Sequence, residues 1–353
     1  MSNLARAMIS ASGGGSEKFY VAIPHTNDSS SNNLSFYELD SSGSLTLLDQ
    51  IRCQSGNSAT YATSCAFHPD PTGYGKYLAV TTSVGYSIID YSDDTNLTEV
   101  DTGGNSDKAE RGVAYNATGS KVFFSGSNST LTRYDQAVNG TLSNETTSGS
   151  LGSSESINAV AIAKTKDVGI VVFGKGSAAA VGAATFAPSD FALDDTIVTK
   201  SEEVLQVDIS SDGTYAVFAG KDYTVHPKTS VGRLNIDSSN NLTEGTQVIA
   251  GSAPQGVRIA EGDGYVAVGG NYSSGNKLRL YYSSMSEATS VDPGGNNPHL
   301  VWAGDGDFLV SMVNATNIKV YSWNGGTGLT LTQTISSSIP YIRDSQRMDS
   351  ITA

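Results

Sequence analysis

One pattern of short strands and turns recurs seven times along this chain. An apolar strand leads to a polar turn, an aromatic or β-branched strand follows, and a third strand ends near Tyr or Asp before a last Leu-Thr strand. The fifth copy is the clearest: Leu205–Ile209, Ser211–Gly213, Tyr215–Ala219, Val231–Asp237 and Leu242–Thr243. The corresponding second-strand positions are Tyr20, Tyr77, Val122, Ile170, Tyr215, Tyr265 and Phe308. Their spacing runs from 43 residues (Tyr265 to Phe308) to 57 residues (Tyr20 to Tyr77).

The third strands can also be placed from the sequence. They are predicted at Leu34–Asp40, Tyr86–Tyr91, Leu131–Asp135, Val181–Phe186, Val231–Asp237, Leu278–Tyr282 and Ile318–Trp323. A lone four-stranded sheet of this size cannot bury both of its faces, whereas sheets stacked radially in a ring cover one another. The repeat therefore predicts an all-β fold, a seven-bladed β-propeller of four-stranded antiparallel blades. A linear β-solenoid is the structural alternative, but its rungs are usually shorter and more regular, and a sandwich gives no reason for this period.

The two ends of the chain bear on how such a ring closes. We predict that residues 1–338 form the propeller, with Ala7–Ile9 as the first strand of the first blade. Residues 339–353 are then left over, as a segment that closes or braces the ring or contacts partners. The first twelve residues hold no apolar run of the length that a secretory signal needs. Residues 168–187 are interrupted by Lys175 and rich in Gly and Ala, so no membrane span is expected.

The charge balance argues against two classes of partner. The chain has 21 Lys and Arg against 35 Asp and Glu, a net charge of −14, and its basic residues are scattered singly. Because an acidic surface repels phosphate groups, we expect neither nucleic acid nor an anionic membrane as a partner. The two cysteines, Cys53 and Cys65, could form a disulfide, but without an export signal Cys65 is better read as a small buried hydrophobic residue.

The repeat resembles the WD40-like and YVTN/lactonase-like propellers. The resemblance lies in Phe67–Asp70 with Tyr77–Val80, and again in Ser211–Tyr215. It is not WD40 proper, because the only tryptophans are Trp302 and Trp323 and no Trp-Asp pair ends a strand. Repeats of this style are also similar to propellers encoded among phage tail and virion genes.

That resemblance, with the acidic chain that lacks a leader, implies a non-catalytic, protein-binding component of a bacteriophage particle: a tail, fibre-associated or capsid-decorating propeller. Such a protein is assembled in the host cytoplasm and resides in the virion. Its partners would be other virion proteins, with a host-surface glycan as a further one, and no enzymatic activity is expected. Binding is predicted in the long loops and the C-terminal segment, at Asp28, Asn33, Tyr223, Tyr272, Tyr341 and Arg343.

A lactonase-like enzyme is the first alternative. Asn297–Leu300 resembles the Pro-Arg-His-Leu element of lactonase-type propellers, which implies a His with nearby Arg and Glu at the channel mouth. His299 is then the candidate catalytic residue, although the Arg before it is missing. A histidine that simply packs at the channel wall is the competing interpretation. Asp208 and Arg258 occupy equivalent positions in the fifth and sixth copies, and could face each other or belong to a solvated ring of polar groups.

Metal and cofactor sites are not expected. The four histidines, His25, His68, His226 and His299, show no ligand spacing. The segment Asp93–Asn96 resembles an oxygen-donor loop for calcium, but such sequences are typical of turns. A carbohydrate-binding module is the second alternative, and it would need an exposed aromatic platform in the variable loops, for example at Tyr223 or Tyr272.

Overall fold

The structure of the chain is a computed structural model. It describes residues 18–26, 32–54, 61–104, 109–149, 156–174, 182–198, 203–221, 231–248, 254–260, 262, 264–270, 278–296, 299–304, 306–313, 317–325, 328–336 and 348–352. The expected first strand at Ala7–Ile9 lies outside these ranges.

The described residues form 28 strands in seven antiparallel sheets, each of four strands. Blade 1 contains β1 (Lys18–Pro24), β2 (Leu34–Asp40), β3 (Leu45–Ile51) and β28 (Asp349–Thr352). Blade 2 contains β4 (Ala62–Phe67), β5 (Tyr77–Thr82), β6 (Gly85–Asp90) and β7 (Thr98–Gly103). Blade 3 contains β8 (Gly112–Tyr115), β9 (Lys121–Ser125), β10 (Leu131–Gln136) and β11 (Leu142–Thr147). Blade 4 contains β12 (Ile157–Ile162), β13 (Gly169–Phe173), β14 (Gly182–Phe186) and β15 (Leu193–Val198). Blade 5 contains β16 (Glu203–Ile209), β17 (Tyr215–Lys221), β18 (Val231–Ile236) and β19 (Leu242–Val248). Blade 6 contains β20 (Pro254–Ile259), β21 (Tyr265–Gly270), β22 (Leu278–Tyr282) and β23 (Glu287–Val291). Blade 7 contains β24 (His299–Ala303), β25 (Phe308–Val313), β26 (Asn317–Trp323) and β27 (Leu329–Ser336).

The sheets are arranged radially around a central channel. In blades 2 to 7 the first strand lies innermost, and these strands contact one another in ring order together with β28. Burial falls from the channel to the rim, as blade 2 shows: every residue of β4 and β5 is buried, whereas β7 is partly exposed along its length. The predicted seven-bladed, all-β propeller is confirmed.

The hydrophobic core is divided into seven clusters, one at each junction between neighbouring blades. The cluster between blades 1 and 2, for example, joins Phe36 of β2 to Phe67 of β4 and Leu78 of β5. The cluster between blades 7 and 1 joins Val310 of β25 to Val21 of β1. Both faces of every blade are therefore covered by apolar side chains of its neighbours. This explains why the apolar pattern recurs in every copy of the repeat.

Strand β28 occupies the inner edge of blade 1. It pairs with β1 in antiparallel register, with Phe19 opposite Thr352 and Ala22 opposite Asp349. The inner strand of the first blade thus comes from the C-terminal segment, which corrects the assignment of that strand to Ala7–Ile9. The residue just before β28, Met348, is buried in the core between blades 7 and 1.

Three aspartates link the outer strands of neighbouring blades. Asp49, Asp101 and Asp195 each follow a β-bulge in the outer strand of blades 1, 2 and 4. In each case one carboxylate oxygen accepts a 2.7 Å hydrogen bond from the backbone N–H of a leucine that begins or precedes the outer strand of the next blade: Leu97, Leu142 and Leu242. Part of the acidic composition is therefore used to hold the rim of the ring together.

Candidate functional site

A polar cavity of about 190 Å³ lies at one mouth of the central channel. The C-terminal ends of four inner strands, those of blades 4 to 7, meet at this mouth. The cavity is lined by the ends of β12, β16, β20 and β24 and by most of β28. Blades 4 to 7 and blade 1 therefore contribute to one pocket through residues that are far apart in the sequence.

Four charged side chains line this mouth cavity: Lys164, Asp208, Arg258 and Asp349. The two aspartates are oriented in the same way. Oδ2 of Asp208 in blade 5 accepts a hydrogen bond from the N–H of Ile259 in blade 6 at 2.9 Å. Oδ2 of Asp349 in blade 1 accepts one from the N–H of Phe67 in blade 2 at 2.8 Å. Each carboxylate is thus held by a channel-facing amide of the next blade.

Arg258 is buried at the side of the cavity formed by blade 6. Its Nη1 donates to Oε1 of Gln206 at 3.2 Å and to the carbonyl of Val257 at 2.6 Å. Its own carbonyl accepts a 3.3 Å hydrogen bond from Nε1 of Trp302. These contacts fix both the backbone and the guanidinium, so the positive charge has a defined place beside the cavity.

Side chains bridge all seven blade junctions along the channel. The inner edge of each blade would otherwise present unpaired backbone groups. The bridges run from Asp349 to Phe67, Thr63 to Glu110, Arg111 to Asn158, Asn158 to Val204, Asp208 to Ile259, Trp302 to Arg258 and Ser350 to Trp302. These polar residues of the channel therefore have a structural role. Asp208, Arg258 and Asp349, at the mouth, also border the cavity.

His299 does not line the mouth cavity. It begins β24, opposite Met312, and is almost completely buried. The part of this blade that borders the cavity is Val301–Gly304. Four residues of extended strand separate His299 from Ala303, which is about 13 Å. The structure brings Asp208 and Arg258 together in one cavity, as their equivalent positions suggested, and leaves His299 in the channel wall.

The structure describes only one of the six residues predicted to bind partners. Asp28, Tyr223, Tyr272, Tyr341 and Arg343 lie outside the described residues, so their proposed roles stay predictions. Asn33 is completely buried. Its side chain accepts from the N–H of Cys53 and donates to the carbonyl of the same residue, so its contacts are internal to blade 1.

Two residues of the cavity, Lys164 and Asp349, were missed by the sequence analysis. Asp349–Thr352 holds three polar residues and one apolar residue, Ile351, so it shows no alternation that predicts a strand. Lys164 follows β12 at the position where the first strands of the other copies meet their polar turns. Aligning the ends of all the first strands would have singled out Lys164, but not Asp349, whose place depends on its pairing with β1.

The described residues hold no cluster of three or more His, Cys, Asp or Glu side chains that could bind a metal ion. Two of the histidines are engaged in ordinary structural contacts: Nε2 of His25 lies 3.0 Å from the hydroxyl of Ser35, and Nε2 of His68 lies 3.0 Å from the carbonyl of Gly119. No helix among the described residues is long and apolar enough to cross a bilayer.

The comparisons with known proteins yield structural relatives only. No protein-family model matches the chain, and no curated protein matches its sequence. A candidate 6-phosphogluconolactonase from Bacteroides fragilis superimposes with a TM-score of 0.72 at 11% identity, covering 96% of this chain and 99% of its own. The periplasmic gluconolactonase of Pseudomonas aeruginosa gives 0.71 at 13% identity, with 94% and 99% covered. A protein from Lactobacillus plantarum gives 0.71 at 16% identity, with 96% and 100% covered.

These relatives correct two expectations from the sequence. The chain was expected to be a virion component without enzymatic activity, yet two of the three similar structures carry lactonase names and none of the three is described as a phage protein. The phage-like features of the repeat, its Asp-Gly turns and Ser- and Asn-rich loops, follow from the propeller architecture and do not distinguish its functions. At these identities the similarity establishes the fold: the chain is a seven-bladed β-propeller with the architecture of the lactonase-type propellers.

Proposed function

We propose that this protein is a lactonase-like hydrolase that opens a small sugar lactone in the mouth cavity. The observation that carries the proposal is the joint presence of Asp208, Arg258, Lys164 and Asp349 in one cavity of about 190 Å³ at the channel mouth. The architecture shared with two proteins named as lactonases supports the same chemistry.

Lactone hydrolysis needs a base and a group that stabilises negative charge. Asp208 supplies the base: its carboxylate accepts a proton from the attacking water while the N–H of Ile259 keeps Oδ2 in place. Arg258 and Lys164 supply positive charge for the oxyanion that forms on the lactone carbonyl. The ring C–O bond then breaks, the proton passes from Asp208 to the departing alkoxide oxygen, and the product is a hydroxy acid.

The charges of the cavity favour a neutral substrate. Among the described residues, the two carboxylates and the two cationic side chains of the lining cancel, so these residues offer no excess of positive charge to a phosphorylated sugar. Carboxylates and serine hydroxyls, here Ser211 and Ser350, are suited to hydrogen bonds with the hydroxyl groups of a polyol. We therefore infer that an unphosphorylated aldonolactone is preferred over a phosphorylated one.

The test is the hydrolysis of glucono-δ-lactone and 6-phosphogluconolactone, followed by acid release at constant pH against the uncatalysed rate. We expect turnover of the first that exceeds turnover of the second. Asp208→Asn should lower kcat by roughly 100-fold or more, because the amide cannot accept the proton. The amide oxygen of Asn can still accept from the N–H of Ile259, so the blade junction and the melting temperature should change little.

His299→Gln is the matched control, since it alters a channel residue outside the cavity. It should leave kcat within a few-fold of the wild-type value. Turnover lost in His299→Gln and kept in Asp208→Asn would contradict the assignment of the base. A protein that binds the lactone in a calorimeter but does not hydrolyse it faster than buffer would instead be a binding module, and the hydrolase proposal would fail.

A further inference from the structure

A second, much smaller cavity lies along the channel. Its volume is about 10 Å³, and its polar lining comes from Ser64, Arg111, Asn158, Gln206 and Arg258. Arg258 borders both cavities, whereas the other four residues do not line the mouth cavity. The lining of the small cavity includes two guanidinium groups and no carboxylate.

Arg111 is the group that most needs a ligand. Its Nη1 donates to Oδ1 of Asn158, which is a neutral amide. Its Nε is buried and has no hydrogen-bond acceptor among the described residues. Among the ion pairs found within the described residues none involves Arg111. Arg111 as a whole is only partly buried, but a buried guanidinium N–H that lacks an acceptor is costly, because it has given up its hydrogen bond to water.

Ser64 provides a second, independent indication. It is completely buried, and its hydroxyl has no hydrogen-bond partner within the part of the chain that the structure describes. A hydroxyl and a guanidinium N–H can both donate to a ligand that accepts, and a guanidinium can do nothing else. The occupant must therefore accept hydrogen bonds from both groups.

The size and the charge of the cavity restrict the occupant further. A volume of about 10 Å³ is close to the space that one water molecule requires, so a sugar, a carboxylate or a phosphate does not fit. Water would accept the hydrogen bonds but would leave Arg111 without an ion-pair partner among the described residues. We propose that the cavity binds one monatomic anion of the size of chloride, held by Arg111, Arg258 and the hydroxyl of Ser64.

Such an ion would stabilise the ring. Arg111 bridges to Asn158 in blade 4, and Arg258 bridges to Gln206 in blade 5, so an anion between them ties blades 3 to 6 together along the channel. The two proposals share Arg258, but the ion is tested without substrate and by thermal unfolding, so either proposal can fail without the other.

The experiment compares the thermal unfolding of the protein in sodium chloride and in sodium methanesulfonate at equal ionic strength. Methanesulfonate is too large for the cavity, so it serves as the control for general salt effects. We expect chloride to raise Tm in a saturable way by roughly 2–4 °C more than methanesulfonate, as a ligand of the folded state does. Bromide should act similarly, and crystals grown in sodium bromide should show an anomalous peak between Arg111 and Arg258.

Arg111→Gln should abolish the chloride-specific shift. The matched control is Arg133→Gln, which removes a guanidinium of blade 3 that packs over Phe191 of blade 4, away from the channel lining; its chloride response should equal that of the wild type. A chloride response that survives in Arg111→Gln would place the ion elsewhere and overturn the proposal. If Arg111→Gln does not fold, the wild-type protein alone still tests the proposal. The site is refuted if chloride gives no specific rise in Tm, or if crystals grown in bromide show no anomalous peak in the cavity.

Discussion

His68 lies buried at the junction of blades 2 and 3, where its ring fills the space beside Gly119. A Cβ on Gly119, whose φ is +72°, would come within 2.0 Å of the imidazole. Nε2 lies 3.0 Å from the carbonyl of Gly119, and Nδ1 lies 3.1 Å from both the N–H and the carbonyl of Asp70. In the neutral ring that carries its proton on Nε2, Nε2–H donates to Gly119 and Nδ1 accepts from the N–H of Asp70. Burial lowers the pKa of His68 below its ordinary value of 6.5 and outweighs the neighbouring carbonyl groups, which raise it.

This lowered pKa predicts a loss of stability at mildly acidic pH. The unfolded chain takes up a proton on His68 as the pH falls below about 6.5, whereas the folded chain takes it up only at lower pH. The contribution of His68 is therefore complete above pH 6.5 and is lost as the pH falls through the folded-state pKa. Urea titrations between pH 7.5 and pH 5 should show this loss, and His68→Gln should reduce it. An NMR titration that shows the imidazole protonating at or above pH 6.5 would contradict the assignment.

The strands themselves could largely be predicted from the sequence. Two predicted third strands, Leu34–Asp40 and Leu278–Tyr282, have the bounds that the structure gives them, and the other five differ by a single residue at one end or at both. Alternation of buried and exposed residues is a local signal, so it can be read without knowledge of the fold. The inner strand of blade 1 could not be placed, because its partner β1 lies more than 300 residues away in the sequence.

The site was predicted only in part for the same reason. Asp208 and Arg258 stood out because the repeat puts them at one position in adjacent blades. The hydrogen bond from the N–H of Ile259 to Asp208 depends on how blades 5 and 6 are packed, and no local pattern indicates it. His299 attracted attention through a short motif alone, and a motif does not say which residues reach a cavity.

The hydrogen bonds from outer-strand aspartates to the next blade are predicted to stabilise the folded protein. Asp101 accepts from the N–H of Leu142 at 2.7 Å and from the N–H of Thr102 at 2.9 Å. Asp101→Ala leaves both donors without this acceptor, and should lower the free energy of unfolding by about 1–3 kcal/mol, measured by urea denaturation.

Asp101→Asn is the control for that substitution. Its amide oxygen can keep one of the two hydrogen bonds, so its effect should be smaller than that of Asp101→Ala. Equal losses in the two variants would show that the charge of Asp101, and not its link to the next blade, stabilises the rim.

At the scale of the whole molecule, closure of the ring depends on residues 348–352. Met348 is buried between blades 7 and 1, and β28 supplies the inner edge of blade 1. A chain that ends at residue 347 should therefore lose both the core contact and the strand pairing. We expect a fall in Tm of roughly 10 °C or more by calorimetry. A synthetic peptide of residues 348–353, added in excess, should restore part of the loss; an unchanged Tm in the shortened chain would rule out this closure.

The pairing of β28 with β1 also determines the order in which the molecule can be completed during translation. Blades 2 to 7 can each form from a continuous stretch of chain as it leaves the ribosome, but blade 1 must wait for β28, which is made after blades 2 to 7. Until then the nascent protein is an open arc whose two end blades expose the apolar faces that later form the cluster between Val21 and Val310. The ring thus closes only after blades 2 to 7 have been made, and the exposed faces of the arc are where chaperones would bind and where aggregation would begin.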